Sequence, residues 1–289
     1  MTTQTILAAL EQYYDGAPRA GGARAEDFGP LTLFVQEGAG WPYYARPTLG
    51  GPEVSAADVE RVLARQRELE LPESFEWVAE NNPSLRAAVE AAGLRVHAYP
   101  LMVLDPADTA DTADDTTDTA DPADPLPPTP DPARVLGADD PLLAAAVTVP
   151  MLAFAAPGTA PGEAGAAELA AATADPAVEV RRAWVAEKIA AGSTVLAAAV
   201  RDAVVLCSGQ YNPVGEVAEI VGVGTLPAAR RRGLALAVTA ALVKEARARG
   251  VRTVFLSAGD EDVARIYGRA GFRRVGTALI AEPPATAGA

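Results

Sequence analysis

The chain has 289 residues, enough for two ordinary domains, and its apolar 49% against 6% aromatic points to cores built from small and aliphatic side chains. The net charge is −14, but the segment DPADTADTADDTTDTADPADPLPPTPD (105–131) holds nine aspartates and no base, which leaves −5 for the remainder. That balance argues against nucleic-acid binding, which needs a basic face. No run of about eighteen apolar residues suggests a membrane span.

In chain order, MTTQTILAALEQYYDG lacks the basic start and apolar stretch of a signal peptide. LTLFVQ (31–36) and WPYYAR (41–46) read as strands, and SAADVERVLARQREL as a helix capped by Ser55. SFEWV is a strand, NPSLRAAVEAAG a helix and LRVHAYPLMVL a strand. The aspartate-rich segment cannot build a core and reads as a solvated, self-repelling linker. After it, ADDPLLAAAVTVPMLAF suggests a helix, and AAELAAATADPAVEVRRAWVAEKIAAG one or two more. TVLAAAV (194–200), AVVLCSGQ (203–210) and EVAEIVGV (216–223) are successive strands. A long helix begins near Leu234, RTVFLSA (252–258) is a strand, DVARIYGRAG (262–271) a short helix closed by Gly271, and FRRVGTALI a final strand.

The order strand, strand, helix, strand, helix, strand occurs twice. Shifting the first half by 178 positions puts Ser55 on Gly233, Phe75–Val78 on the strand around Phe255, Gly93 on Gly271 and Leu94 on Phe272, with no gap. This predicts two copies of one fold.

In GTLPAARRRGLA (224–235), Arg230, Arg231 and Arg232 precede the long helix, whose apolar stripe is Leu234, Val238, Ala241 and Leu242. The start of a helix already carries partial positive charge, so each cation there costs about 0.3–1 kcal/mol. A bound anion resolves the conflict: unpaired N–H groups and the dipole receive it, and Gly233 removes the side chain that would obstruct it. A diphosphate is the natural candidate, yet neither GxxxxGK[ST] nor GxGxxG occurs.

The R-x-x-G-x-A pattern of Arg230, Gly233 and Ala235 resembles the pyrophosphate loop of the GCN5-related N-acetyltransferase (GNAT) family. TLPAARRRGLA (225–235), VFLSAGDEDVARIY (254–267) and YGRAGF (267–272) carry the resemblance, in that order, across about residues 132–282. Arg231 stands where glycine is common, and Asp260 where the family often has Asn. The resemblance implies an α/β (α+β) fold with two GNAT-like mixed-sheet domains joined by an acidic Asp/Thr/Ala/Pro linker. The expected domains are a degenerate copy at 1–104, the linker at 105–131, a catalytic domain at 132–282 and a tail at 283–289. It also implies acetyl-CoA as co-substrate and acetyl transfer to a primary amine by direct attack. Arg230, Arg231, Arg232, Gly233, Leu234, Ala235 and Asp260 would bind the nucleotide end, and Val223, Gly224 and Thr225 the pantetheine arm. Tyr267 would give the leaving thiolate its proton, and Glu219, eleven residues before Arg230, would act as base.

Alternatives stand beside these roles. Tyr267 fits a core tyrosine, Glu219 a solvated strand residue, and Glu216 is a rival base. Cys207, the single cysteine, is expected to be a small core residue, in keeping with a reducing cytoplasm. His97 is the single histidine, so no Ser-His-Asp triad is expected, and without a Cys/His cluster no metal site is expected. In the first half, Pro52, Glu53 and Val54 replace the three arginines, Trp41 replaces Glu219 and Val89 replaces Tyr267, so that copy is expected not to bind CoA but to wall the amine pocket or to bind a partner. The acceptor is a small-molecule or peptide amine, the oligomeric state is not legible, and the rival to an enzyme is a non-catalytic acyl-CoA-binding sensor or interaction module.

Overall fold

The computed structural model describes residues 2–38, 40, 42–104 and 133–284. The linker expected at 105–131, Trp41 and most of the tail expected at 283–289 lie outside the described residues. In chain order the elements are α1 (Thr3–Ala20), β1 (Arg24–Asp27), β2 (Leu31–Val35), β3 (Arg46–Pro47), α2 (Ala56–Glu68), β4 (Phe75–Val78), α3 (Leu85–Ala91), β5 (Arg95–Leu104), β6 (Ala133–Leu136), α4 (Leu143–Ala155), α5 (Ala166–Thr173), α6 (Pro176–Ala190), β7 (Val195–Arg201), β8 (Val204–Val214), β9 (Val217–Thr225), a 3₁₀ turn (Pro227–Ala229), α7 (Leu234–Ala248), β10 (Thr253–Ser257), α8 (Glu261–Gly268) and β11 (Phe272–Glu282). Among the described residues, no helix is long and apolar enough to cross a membrane.

The internal repeat is visible in these boundaries. Shifted by 178, α2 covers 234–246 within α7, β4 covers 253–256 within β10, and β5 covers 273–282 within β11. Ser55 and Gly233 are both N-caps. The strand expected over 41–46 is shorter than anticipated: Ala45 makes a single bridge to Phe75, and the strand itself is Arg46–Pro47. Prolines at 42 and 47 lack the N–H that a longer ladder would use.

The chain forms two compact units that interleave in sequence. Of the described residues, one unit holds those up to 102, with 257–260 and 274–284; the other holds 103–104, 133–256 and 261–273. In the first unit β1, β2 and β3 form an antiparallel sheet. Strand β11 lies between β4 and β5 and runs antiparallel to β4, with Ala278 opposite Val78 and Ala281 opposite Phe75. Its Leu279 and Ala281 enter the core of this unit beside Val59, Leu63, Phe75 and Trp77. The last strand of the chain therefore completes a core built mainly by the first hundred residues.

In the second unit the strand order is β10-β9-β8-β7-β6, antiparallel except for β9 with β10. Helix α4 packs on β8 and β9, and α7 on β6 to β9. Pro150 inside α4 supplies no N–H to the carbonyl of Ala146 one turn earlier. The Ser208 hydroxyl, from β8, donates to that carbonyl at 2.7 Å, so the proline is tolerated. A Cβ on Gly224 would lie 2.7 Å from Pro150 Cα and 2.9 Å from Ala153 Cβ, so only glycine lets α4 approach β9 this closely.

Leu279→Ala should remove about 2–5 kcal/mol of stability. Hydrogen exchange should locate the loss in residues 31–94, far earlier in the chain, because Leu279 belongs to their core.

Candidate functional site

Three features of the second unit meet along β9. The first is a gap. The parallel ladder joins Val217–Glu219 to Thr253–Phe255, and β9 continues to Thr225 beyond it. The second is a bulge. Ser208 faces Gly224 and Gln210 faces Val221, so Gly222 and Val223 together oppose Gly209. Gly222 has φ +64°, and the extra residue turns backbone groups of β9 out of the ladder beside Val223, Gly224 and Thr225.

The third feature is the start of α7. Gly233, with φ +76°, is its N-cap and has no side chain to satisfy the first-turn N–H groups. Leu234 is buried and anchors the helix, while Ala235 is half-buried. Among the described residues, none of the three arginines ahead of the helix makes an ion pair with a carboxylate. Arg230 reaches across to carbonyls at the end of α4 and in the segment after it: Ala153 at 2.8 Å, Ala156 at 2.5 Å and Ala160 at 3.1 Å. Its side chain is thus committed to holding that segment. Arg231 is exposed and holds φ +62°, a left-handed conformation costing a non-glycine residue about 1–2 kcal/mol. That backbone explains why glycine would suit the position. Arg232 is also exposed, with a 3.4 Å contact to the Ala228 carbonyl.

Tyr267 and Glu219 occupy opposite faces of the sheet. Ser208 and Gly224 point to α4. Alternation carries that face along β8 to Gln210 and Asn212, and Glu219 lies directly opposite Asn212. Glu219 is half-buried and sits at the end of the β9–β10 ladder, opposite Phe255. On the other face Cys207 pairs with Thr225, whose hydroxyl contacts the Cys207 sulfur at 3.2 Å. Tyr267, on α8, lies on this side. It is buried, stacks edge-on against Phe272 with ring centroids 5.9 Å apart, and shares a side-chain hydrogen bond with Thr239 of α7. Thr239 donates its own proton to the Ala235 carbonyl at 2.8 Å, so it accepts that of Tyr267. Burial above all, and then the nearby Cys207 sulfur, push the Tyr267 hydroxyl well above the ordinary range for tyrosine, against the hydrogen bond to Thr239. Cys207 is fully buried and its thiol is pushed up to about 12, mainly by burial. Glu216 is exposed at the β8–β9 turn, with Arg252 at 3.9 Å.

Asp260 directly precedes α8, is exposed, and belongs to the first unit. Val89, the counterpart of Tyr267 in the first copy, is fully buried in the core of that unit. Sequence reasoning passed over Thr239 and a polar row beside Glu219. In that row the Asn212 side-chain oxygen accepts from Thr194 at 2.8 Å and from Gln210 at 3.4 Å. Gln210 and Asn212 stand two apart in a strand, on the same face as a glutamate of the next strand, and that spacing was the available signal.

The family model described as "Acetyltransferase (GNAT) family" matches residues 167–272, a span that holds β9, the arginine loop, α7 and Tyr267. This stretch of the chain is similar to a GNAT acetyltransferase domain. The match supports an acyltransferase, in a family that uses acyl-CoA. Among solved structures, a GCN5-related N-acetyltransferase from Kribbella flavida shares 22% identity over 97% of this chain and 96% of its own, with a TM-score of 0.63. A tandem GNAT protein from the clavulanic acid biosynthesis pathway shares 16% identity over 90% of this chain and 79% of its own, with a TM-score of 0.53. A GNAT-family protein from Novosphingobium aromaticivorans shares 19% identity over 93% and 94%, with a TM-score of 0.50. At these identities the likeness is one of fold. Among curated proteins none matches the chain in sequence.

Arg230→Ala should lower stability by about 1–3 kcal/mol, since three carbonyls lose one charged donor. Arg232→Ala, with its single long contact, should leave the melting temperature nearly unchanged. Thermal denaturation of the two variants side by side checks the contrast.

Proposed function

We propose that the second unit transfers the acetyl group of acetyl-CoA to a primary amine by direct attack on the thioester. The observation that carries this reading is the unmatched positive charge at the start of α7. Two exposed arginines and an uncapped helix N-terminus lie together without a carboxylate, in a chain of net charge −14. A diphosphate supplies the missing negative charge, with first-turn N–H groups as donors. From Thr225 back to Glu219 is six residues of strand, roughly 20 Å at about 3.3 Å per residue. A ligand anchored at the loop must be long and thin to reach Glu219, as the pantetheine arm is. The bulge at Gly222–Val223 offers that arm backbone hydrogen bonds.

The opposite faces then have a chemical use. Glu219, on the α4 side, accepts a proton from the incoming ammonium, directly or through water. The neutral amine attacks the thioester carbonyl, a tetrahedral intermediate forms, and the C–S bond breaks. Tyr267, on the α7 and α8 side, gives its proton to the departing thiolate. A hydroxyl held neutral by burial keeps its proton across the working pH range, as an acid of this kind must. Only a group lying in the gap between β9 and β10 is open to both faces. Asn212, Gln210 and Thr194 support a polar surrounding for the acceptor amine on the Glu219 side.

Reversing two charges tests the anion site. Arg231→Glu with Arg232→Glu should abolish acetyl-CoA binding in calorimetry while the circular dichroism spectrum is kept; unchanged affinity would remove the basis of the reading.

Tyr267→Phe tests the acid. Turnover, followed as thiol release with a panel of primary amines, should fall by about 10²–10⁴-fold with little change in acetyl-CoA affinity. Full activity would assign Tyr267 to the core alone.

A further inference from the structure

The first unit contains a cleft of about 340 Å³ that acetyl transfer leaves unused, since the proposed reacting groups all lie in the second unit. Helix α1 contributes Glu11 and Gln12, the segment after β3 contributes Thr48 and Leu49, and Asn81 and Asn82 close it. Under the 178-residue shift this is the counterpart of the arginine loop: Thr48 falls on Leu226 and Asn82 on Asp260. The chemistry has been inverted. No lysine, arginine or histidine lines the cleft, and its one charged wall residue is Glu11.

Glu11 is half-buried at the wall of the cleft, and that burial raises its carboxyl above the usual range, with a smaller push from Glu76. Asn81 opposes the shift: its Nδ2 donates to Glu11 Oε2 at 3.0 Å and to the Leu7 carbonyl at 3.2 Å. The Val78 backbone also opposes it, as does the charge of Arg46. Arg46, however, makes its ion pair with another carboxylate, buried Glu76, and its guanidinium lies 4.1 Å from the centroid of the Tyr14 ring. The group therefore holds two carboxylates and one cation, and among the described residues Glu11 has no ion-pair partner. A carboxylate partly removed from water and without a counter-ion is costly, and a cation entering the cleft relieves that cost. Both N–H groups of Asn81 are spent within the protein, so its oxygen is what remains, an acceptor suited to a ligand that only donates. Leu49, an exposed aliphatic side chain, adds an apolar edge to the opening.

We propose that this cleft binds a small primary ammonium ion, with Glu11 as counter-ion, Asn81 as a neutral acceptor and Leu49 against the alkyl part. The site is independent of the acetyl-transfer reading and stands or falls without it.

The probe is butylammonium, with 1-butanol as a neutral molecule of the same size, titrated into the full chain while the side-chain amide signals of Gln12, Asn81 and Asn82 are followed by NMR. Saturable shifts with butylammonium, none with 1-butanol, and at least a tenfold weaker response in Glu11→Gln are expected. Glutamine keeps the bond from Asn81, so this variant should fold, and the sign of its stability change is a second check. The folded-state carboxyl of Glu11 lies above its unfolded value, so its contribution is present at low pH and is lost as pH rises through the folded value, where Arg46 and Glu76 remain its charged neighbours. Glu11→Gln should therefore melt above the wild type at pH 7, and the margin should vanish near pH 4. No saturable butylammonium binding, equal binding by Glu11→Gln, or equal binding of 1-butanol would each overturn the proposal.

Discussion

The parting of β9 from β10 beyond Glu219 and Phe255 is the constraint on which the second unit depends. Backbone groups along Ile220–Thr225 on that side must bond with something other than a neighbouring strand. The bulge at Gly222–Val223 enlarges this exposed stretch, and Gly224 and Ser208 fix what lies behind it by holding a proline-containing helix against the sheet. Widening the gap therefore needs no loss of packing, because α4 supports β9 from one face and α7 from the other. The same constraint would let Glu219 and Tyr267 serve the one proposed reaction without touching. An edge opened between two strands is reachable from both sides of the sheet.

A second tension is electrostatic. The arginines stand where the helix field repels them, at about 0.3–1 kcal/mol each and less after screening by salt. Arg231 adds backbone strain of about 1–2 kcal/mol. Arg230 escapes part of the conflict by turning its guanidinium to the carbonyl end of α4, where a cation is favoured. The three adjacent residues thus divide their work: one holds the α4 end in place, and two leave their charge open to solvent.

Much of this was legible in the sequence. Helix α7 was found because Leu234, Val238 and Leu242 repeat with helical spacing, and the element boundaries fall on the 178-residue register to within a few positions. The cap at Ser55 and the glycine start at Gly233 were legible for the same reason, since caps are local chemistry. Helix α1 carried an equally clear stripe in Ile6, Leu7, Leu10, Tyr13 and Tyr14, which a search for a leader peptide alone passes over. Strands β1 and β6 have four residues each and too little alternation to stand out. The partner of β11 was not legible at all. A strand's own residues do not say which edge it joins, and here two copies offered equivalent edges. The division of Arg230 from its neighbours was hidden likewise, because it depends on where the end of α4 comes to lie.

The two copies show how little separates an anion site from an ordinary helix start. Both helices begin at matching positions, after matching strands, with unpaired N–H groups that require acceptors. In the first copy the chain supplies them itself. Ser55 accepts from the Asp58 N–H, and the Asp58 carboxylate accepts from the Ser55 N–H at 2.8 Å and lies 2.6 Å from its hydroxyl. That reciprocal pair satisfies the first turn and places a negative charge where an anion would have to sit. In the second copy Gly233 offers no side chain, no acid follows in the first turn, and arginines stand outside. The first arrangement stabilises the free protein, by about 0.5–2 kcal/mol on the usual scale for a cap. The second forgoes that stability and leaves its donors without a side-chain acceptor. Pro52 and Glu53 in place of Arg230 and Arg231 complete the exchange in the first copy, where the neighbouring cleft instead carries a half-buried carboxylate at Glu11. One backbone thus supports opposite electrostatic preferences, and the choice between them rests on a cap residue and the sign of the charges beside it.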